Sequence, residues 1–174
     1  MTTATAYHRS KKQSTTYVNW WRDEQLRKHW RQAVGVLAKR GARFVRIGAG
    51  KRPQDKGWNH APVTAAQALA HLAAGRNVGL ATGSGDPLHL YAFDLDADAD
   101  RGYECPQLAD TFYVYRENAT HKAKFFFACD ERLPGRKHHD TGTELLAFDG
   151  GDGHNNCVIA GVHASGAPLR WGGR

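Results

Sequence analysis

The segment Leu88-His-Leu-Tyr-Ala-Phe-Asp-Leu-Asp96 constrains the fold of this chain more than any other. Side chains of a β-strand alternate between its two faces, so Asp94 and Asp96 are expected to point one way while Phe93 and Leu95 point into a core. Two carboxylates one strand-step apart repel each other. A fold keeps them together when something positive sits between them, either an Arg or Lys side chain or a metal ion. Hard divalent ions such as Mg²⁺ take such oxygen ligands. The same residues also fit a strand that ends in solvated acids, since Asp98 and Asp100 follow at once. A third carboxylate, Glu144, opens an apolar stretch in Thr141-Gly-Thr-Glu-Leu-Leu146, where an unpaired charge is costly. Asp140 and Asp149 compete with it from loop positions.

Around this segment the pattern reads as an α+β domain. Leu26, Trp30, Ala33, Val34, Leu37 and Ala38 recur at helical spacing within an amphipathic helix from about Val18 to Arg40, with Gly41 as its stop. Thr64 caps a short helix reaching about Ala74. Strands are expected at 43–47, 77–82, 88–96, 111–116, 122–129, 143–148 and 156–160, most of them in the second half. Residues 1–16 read as a disordered basic leader and 17–174 as one domain. Asn77-Val-Gly-Leu-Ala-Thr-Gly-Ser-Gly-Asp86 is glycine-rich but fits neither a P-loop nor a dinucleotide fingerprint.

Charge is unevenly divided. Residues 1–57 hold 14 Lys/Arg against 3 acids, whereas residues 58–174 hold 10 against 14. The first third suits a polyanion, and the remainder gathers carboxylates for another purpose. Lys28 and Arg31 share a helix face that would also suit plain solvation. On a strand starting near His121, that residue and Ala123 share one face, and Lys122 and Lys124 the other. No apolar run is long enough to span a membrane, and the first fifteen residues lack the apolar core of a secretory signal. Three cysteines at wide spacing, Cys105, Cys129 and Cys157, favour free thiols in a reducing, cytoplasmic setting.

Four segments together resemble the archaeo-eukaryotic primase superfamily, in particular the primase-polymerase (prim-pol) domains of plasmids, phages and mobile elements. Lys51-Arg-Pro followed by Gly57-Trp58 is similar to the family's Lys-x-Pro and Gly-Trp signature. Asn77-Val-Gly-Leu-Ala-Thr-Gly83 followed by Tyr91-Ala-Phe-Asp-Leu-Asp96 resembles its glycine block and Asp-x-Asp pair. Ala119-Thr-His121 falls where the family has small-x-His, with Ala119 in place of a hydroxyl residue and Arg116-Glu-Asn-Ala in place of a glycine-rich lead. Val158-Ile-Ala-Gly-Val-His-Ala-Ser-Gly166, with Trp171, looks like its closing strand-turn-strand.

The resemblance implies an N-terminal α/β module packed on an RRM-like antiparallel sheet, with the active site in the cleft between them. It implies a metal-dependent nucleotidyltransferase that makes primers or extends DNA from nucleoside triphosphates on a single-stranded DNA template, alongside a replicative helicase domain or protein. Asp94, Asp96 and Glu144 would ligate two Mg²⁺ or Mn²⁺ ions, and His121 would contact the triphosphate. Thr120, Lys122, Lys124, Arg116 and Lys51 are further nucleotide-binding candidates. Arg52, Trp58, Lys28 and Arg31 are candidates for the nucleic acid, with Trp20 and Trp21 also suited to stacking on bases. The alternative is a degenerate prim-pol domain that binds nucleic acid or nucleotides without catalysis.

Overall fold

The computed structural model describes residues 20–48, 51–96, 111–138, 142–148 and 153–173. A single 3₁₀ turn, Trp20–Arg22, leads into α1 (Glu24–Ala38). The α-helix starts later than the apolar spacing alone indicates, because the Asp23 carboxylate accepts the Leu26 amide and caps it there. Leu26, Trp30, Ala33, Val34 and Leu37 form its buried stripe. Gly41, at φ +73°, turns the chain out of the helix. α2 (Ala65–Ala73) opens with a reciprocal capping box between Thr64 and Gln67.

Nine strands follow in two antiparallel sheets: β1 (Phe44–Arg46), β2 (Val78–Thr82), β3 (His89–Leu95), β4 (Tyr113–Arg116), β5 (Ala119–Cys129), β6 (Arg136–His138), β7 (Thr143–Leu146), β8 (Asn155–Ala160) and β9 (Leu169–Gly172). The smaller sheet has the order β1-β2-β8 and the larger β6-β7-β3-β5-β4-β9. The α/β module is therefore not purely N-terminal, since β8 returns from late in the chain to complete its sheet. The chain then crosses into the larger sheet through the β8–β9 turn.

One core joins the layers. Leu26, Trp30, Val34 and Leu37 of α1 pack with Phe44, Val78, Leu80, Cys157 and Ile159 of the small sheet and with Leu90, Ala92, Val114, Phe126 and Leu146 of the large one. Trp30 is fully buried and donates its indole N–H to the Leu169 carbonyl. The face of β3 that meets this core carries Leu90 and Ala92, and therefore Asp94 as well. This corrects the orientation read from alternation. Leu95 is buried, but Phe93 is only half-buried on the far face, in register with Phe125 and Leu145. Strand alternation separates two faces without saying what covers each, and here both are covered: Tyr91 and Leu95 are buried on the far face as Leu90 and Ala92 are on the aspartate face.

Candidate active site

The site lies where the shared core ends and the two sheets part. Lys124, Asp94 and Glu144 stand side by side on β5, β3 and β7, each the direct cross-strand partner of the next. Direct partners put their side chains on the same face, so this row looks towards the small sheet. The resulting cleft has a volume of about 240 Å³. Its floor is the row just named, with Asp96, Lys122, Arg116 and Val114. Its far wall is Asn156, Cys157 and Val158 of β8, and its rim is formed by Lys51 and His163. Four cations and three carboxylates thus share one small space.

Both aspartates are met by lysine. Lys124 Nζ donates to Asp94 Oδ2, and these two side chains are only 21% and 20% exposed. Lys122 Nζ lies 3.0 Å from Asp96 Oδ1, with an Arg116 nitrogen 3.9 Å from the same oxygen. Burial alone would raise the Asp96 pKa, yet the hydrogen bond from Lys122 and the charges of Lys122, Lys124 and Arg116 outweigh it and hold the carboxyl below its usual range. Burial works against the Lys124 ammonium, but the net shift is upward, so the lysine stays charged, with Asp94 and Asp96 as its charged partners. Cys157 also faces it. Its fully buried thiol has a pKa pushed up to about 12 by burial, so it lines the wall as a neutral group.

Three carboxylates opening into one cleft form the hard-oxygen donor set that Mg²⁺ or Mn²⁺ takes. As they stand, no three acid, His or Cys side chains among the described residues are grouped closely enough to hold an ion. Lys122 and Lys124 supply the neutralising charge instead. The donors fit a divalent ion in chemistry and in the face they share, and an ion entering here would take over contacts that the lysines now make.

The remaining candidates divide. Lys51, Arg116, Lys122 and Lys124 all line the cleft. Thr120 and His121 belong to β5, but their side chains lie outside the described residues, as do the leader 1–16 and Asp98, Asp100, Asp140 and Asp149. Arg52 is exposed next to Lys51, and Trp58 packs on the small cluster of Val45, Ile47 and Ala81 and does not line the cleft. Lys28 and Arg31 are not brought to the cleft. They sit on the exposed side of α1, where Arg31 and Arg27 both pair with Glu24. Trp21 packs edge-on against Trp30, and Trp20 donates its indole N–H to the Gly166 carbonyl, so both serve packing here.

The residue missed from sequence is His163. It lies in the closing segment on which the resemblance partly rests, and only the fold reveals that the β8–β9 turn reaches the cleft. Asn77 pins that turn, accepting the Val162 amide at 2.8 Å and donating to the Val162 carbonyl at 2.7 Å. Gly161 allows the approach: at φ +114°, any Cβ there would stand 2.0 Å from Asn77 Oδ1.

A cleft between two antiparallel sheets, combining a carboxylate trio with four cations, is suited to a polyphosphate and its counter-ions. Residues 35–174 match the family model for the N-terminal domain of bifunctional DNA primase/polymerases, and the chain belongs to that family. Comparison with curated proteins and with solved structures finds no match. The family match makes the chain a domain of the DNA primase/polymerase family, whose class of activity is nucleotidyl transfer on DNA. No helix among the described residues is long and apolar enough to cross a membrane.

Proposed function

We propose that the domain performs template-directed nucleotidyl transfer from nucleoside triphosphates, with chemistry at the Asp94/Asp96/Glu144 cleft. The observation that carries this reading is the cross-strand row Glu144–Asp94–Lys124, which sets acid beside cation on the floor of the cleft. Nucleotidyl transfer is catalysed chiefly by positioning and by charge neutralisation. Asp94, Asp96 and Glu144 would hold Mg²⁺ or Mn²⁺, which when bound as a pair help to activate the attacking 3′-hydroxyl and stabilise departing pyrophosphate. Lys122, Lys124, Arg116 and Lys51 neutralise the triphosphate, with Thr120 and His121 as further contacts. Arg52, next in the chain to the cleft residue Lys51, and Trp58, packed on the small sheet, hold template phosphate and base, and Lys28 and Arg31 add a more distant attraction.

A second reading, a domain that binds nucleotides without catalysis, draws on the lysines that already neutralise both aspartates. A thermal-shift titration separates the two. The catalytic reading expects Mn²⁺ and a triphosphate together to stabilise the wild type well beyond either alone, and this synergy to vanish in Asp94→Ala/Asp96→Ala. Equal stabilisation by triphosphate with and without Mn²⁺ supports the binding-only reading.

A further inference from the structure

His163 is held more firmly than a turn histidine needs to be. Its backbone amide donates to the Ala167 carbonyl at 2.8 Å, and its carbonyl accepts from Gly166 at 2.9 Å. Immediately before it, Val162 is clamped from both sides by the Asn77 amide. The ring is fixed too. Nδ1 accepts the backbone N–H of Ser165 at 3.1 Å, with Ser165 Oγ 2.9 Å from the same atom. A backbone amide can only donate, so Nδ1 carries the lone pair and the ring proton sits on Nε2. Among the described residues no acceptor engages Nε2, and the ring borders the cleft.

The surroundings keep this ring neutral. Burial first, then the charges of Arg116 on β4, Lys51 on the loop after β1 and Lys124 on β5, depress its pKa to about 4, with Asp96 after β3 opposing them. The ring thus offers the cleft a fixed, uncharged N–H donor beside its four cations. Such a donor can bind an anionic oxygen without adding to the repulsion among those cations, or between them and a metal ion.

We propose that His163 contacts the substrate, donating its Nε2–H to a phosphoryl oxygen of the nucleoside triphosphate. The inference rests on the nucleotidyl-transfer reading above. The closing experiment compares wild type, His163→Ala and His163→Gln, whose side-chain amide can place an N–H near the position of Nε2. Two quantities are read: KM for the triphosphate during primer extension, and Mn²⁺-dependent affinity for a non-hydrolysable triphosphate and for the corresponding monophosphate. Loss of one hydrogen bond to a charged oxygen predicts a KM raised about tenfold or more in His163→Ala, with kcat less affected, and recovery to within about threefold in His163→Gln. Monophosphate affinity should change little.

Unchanged triphosphate KM and affinity in His163→Ala overturns the inference while leaving the polymerase reading intact. Equal losses for triphosphate and monophosphate, with no recovery in His163→Gln, indicate a packing role and also overturn it. If the wild type itself neither binds triphosphate nor extends a primer, the polymerase reading fails and the inference falls with it. The tautomer has its own check: long-range ¹H–¹⁵N spectra should show an unprotonated Nδ1 and a protonated Nε2 at neutral pH, and the reverse assignment would refute the proposal.

Discussion

Lys124 and Asp94 are direct cross-strand neighbours on β5 and β3, and their ion pair stands where a divalent ion would neutralise the same carboxylate. With about a fifth of each side chain exposed, the pair is partly desolvated and matters to both stability and metal affinity. Replacing the lysine separates these effects. Lys124→Met leaves Asp94 without its counter-charge, and should destabilise the metal-free domain at neutral pH by about 1–3 kcal/mol in urea denaturation. The same variant, without nucleotide, should bind Mn²⁺ about tenfold more tightly, because the ion no longer competes with a lysine. An unchanged Mn²⁺ affinity, read from the paramagnetic resonance of free Mn²⁺, would show that the lysine does not compete.

Two groups give the domain a predictable response to acid, in different windows. Asp96 has its folded-state pKa below the ordinary 3.8, so its stabilising contribution is present above that value and is lost as pH falls through the lower folded-state pKa. His163 has its pKa depressed from 6.5 to about 4. Between those values the unfolded chain takes up a proton that the native state refuses, so stability declines as pH drops from 6.5 towards 4. Denaturation curves at several pH values should show a smaller loss across that window in His163→Gln than in wild type, whereas Asp96→Asn should alter only the more acidic range. Identical pH profiles for His163→Gln and wild type would argue against a depressed His163.

The turn that presents His163 depends on a residue without a side chain. Gly161→Ala places a methyl group against Asn77 Oδ1 in a backbone conformation that alanine resists. The expected cost is about 1–3 kcal/mol, together with a raised KM for triphosphate. A variant as stable as wild type would mean that the turn has other ways to close.

Much of this site was legible in the sequence because it is written locally. Alternation along 88–96 sets Asp94 and Asp96 on one face, the apolar neighbours of Glu144 mark it as an acid with a purpose, and Thr64 and the Trp30 stripe announce their helices. What stayed hidden depends on register and on residues far apart in the chain. Nothing local says that Asp94 pairs with Lys124 thirty residues on, since the partner is chosen by how β3 and β5 align. Alternation did not tell that both faces of β3 would be covered, nor that Phe93 would stay half-buried between the buried Tyr91 and Leu95. β6 is three polar residues with no apolar rhythm, formed because β7 offers it an edge. Asn77 and Val162 lie 85 positions apart and meet only because β8 returns to the small sheet beside β2.

Nucleic-acid binding should follow position more closely than net charge. Arg31 is already paired with Glu24 on the outer side of α1, whereas Lys51 lines the cleft and Arg52 is exposed next to it in the chain. Alanine at Lys51 and Arg52 should therefore weaken single-stranded DNA binding more than alanine at Lys28 and Arg31. Removing one cation that neutralises a phosphate should flatten the dependence of log K on log salt by roughly 0.7. Fluorescence anisotropy across a salt series measures both, and a larger effect from the α1 pair would move the template path to the helix.

The central claim is that Asp94 and Asp96 carry the chemistry and not the grip on DNA. Incorporation of labelled nucleotide on a primed single-stranded template with Mn²⁺, measured beside DNA affinity for wild type and Asp94→Ala/Asp96→Ala, tests it most directly. The account predicts that incorporation falls on the order of 10³-fold or more, the scale on which misplaced charge acts in phosphoryl transfer, while DNA affinity stays nearly the same. Incorporation by the double variant at the wild-type rate would contradict it.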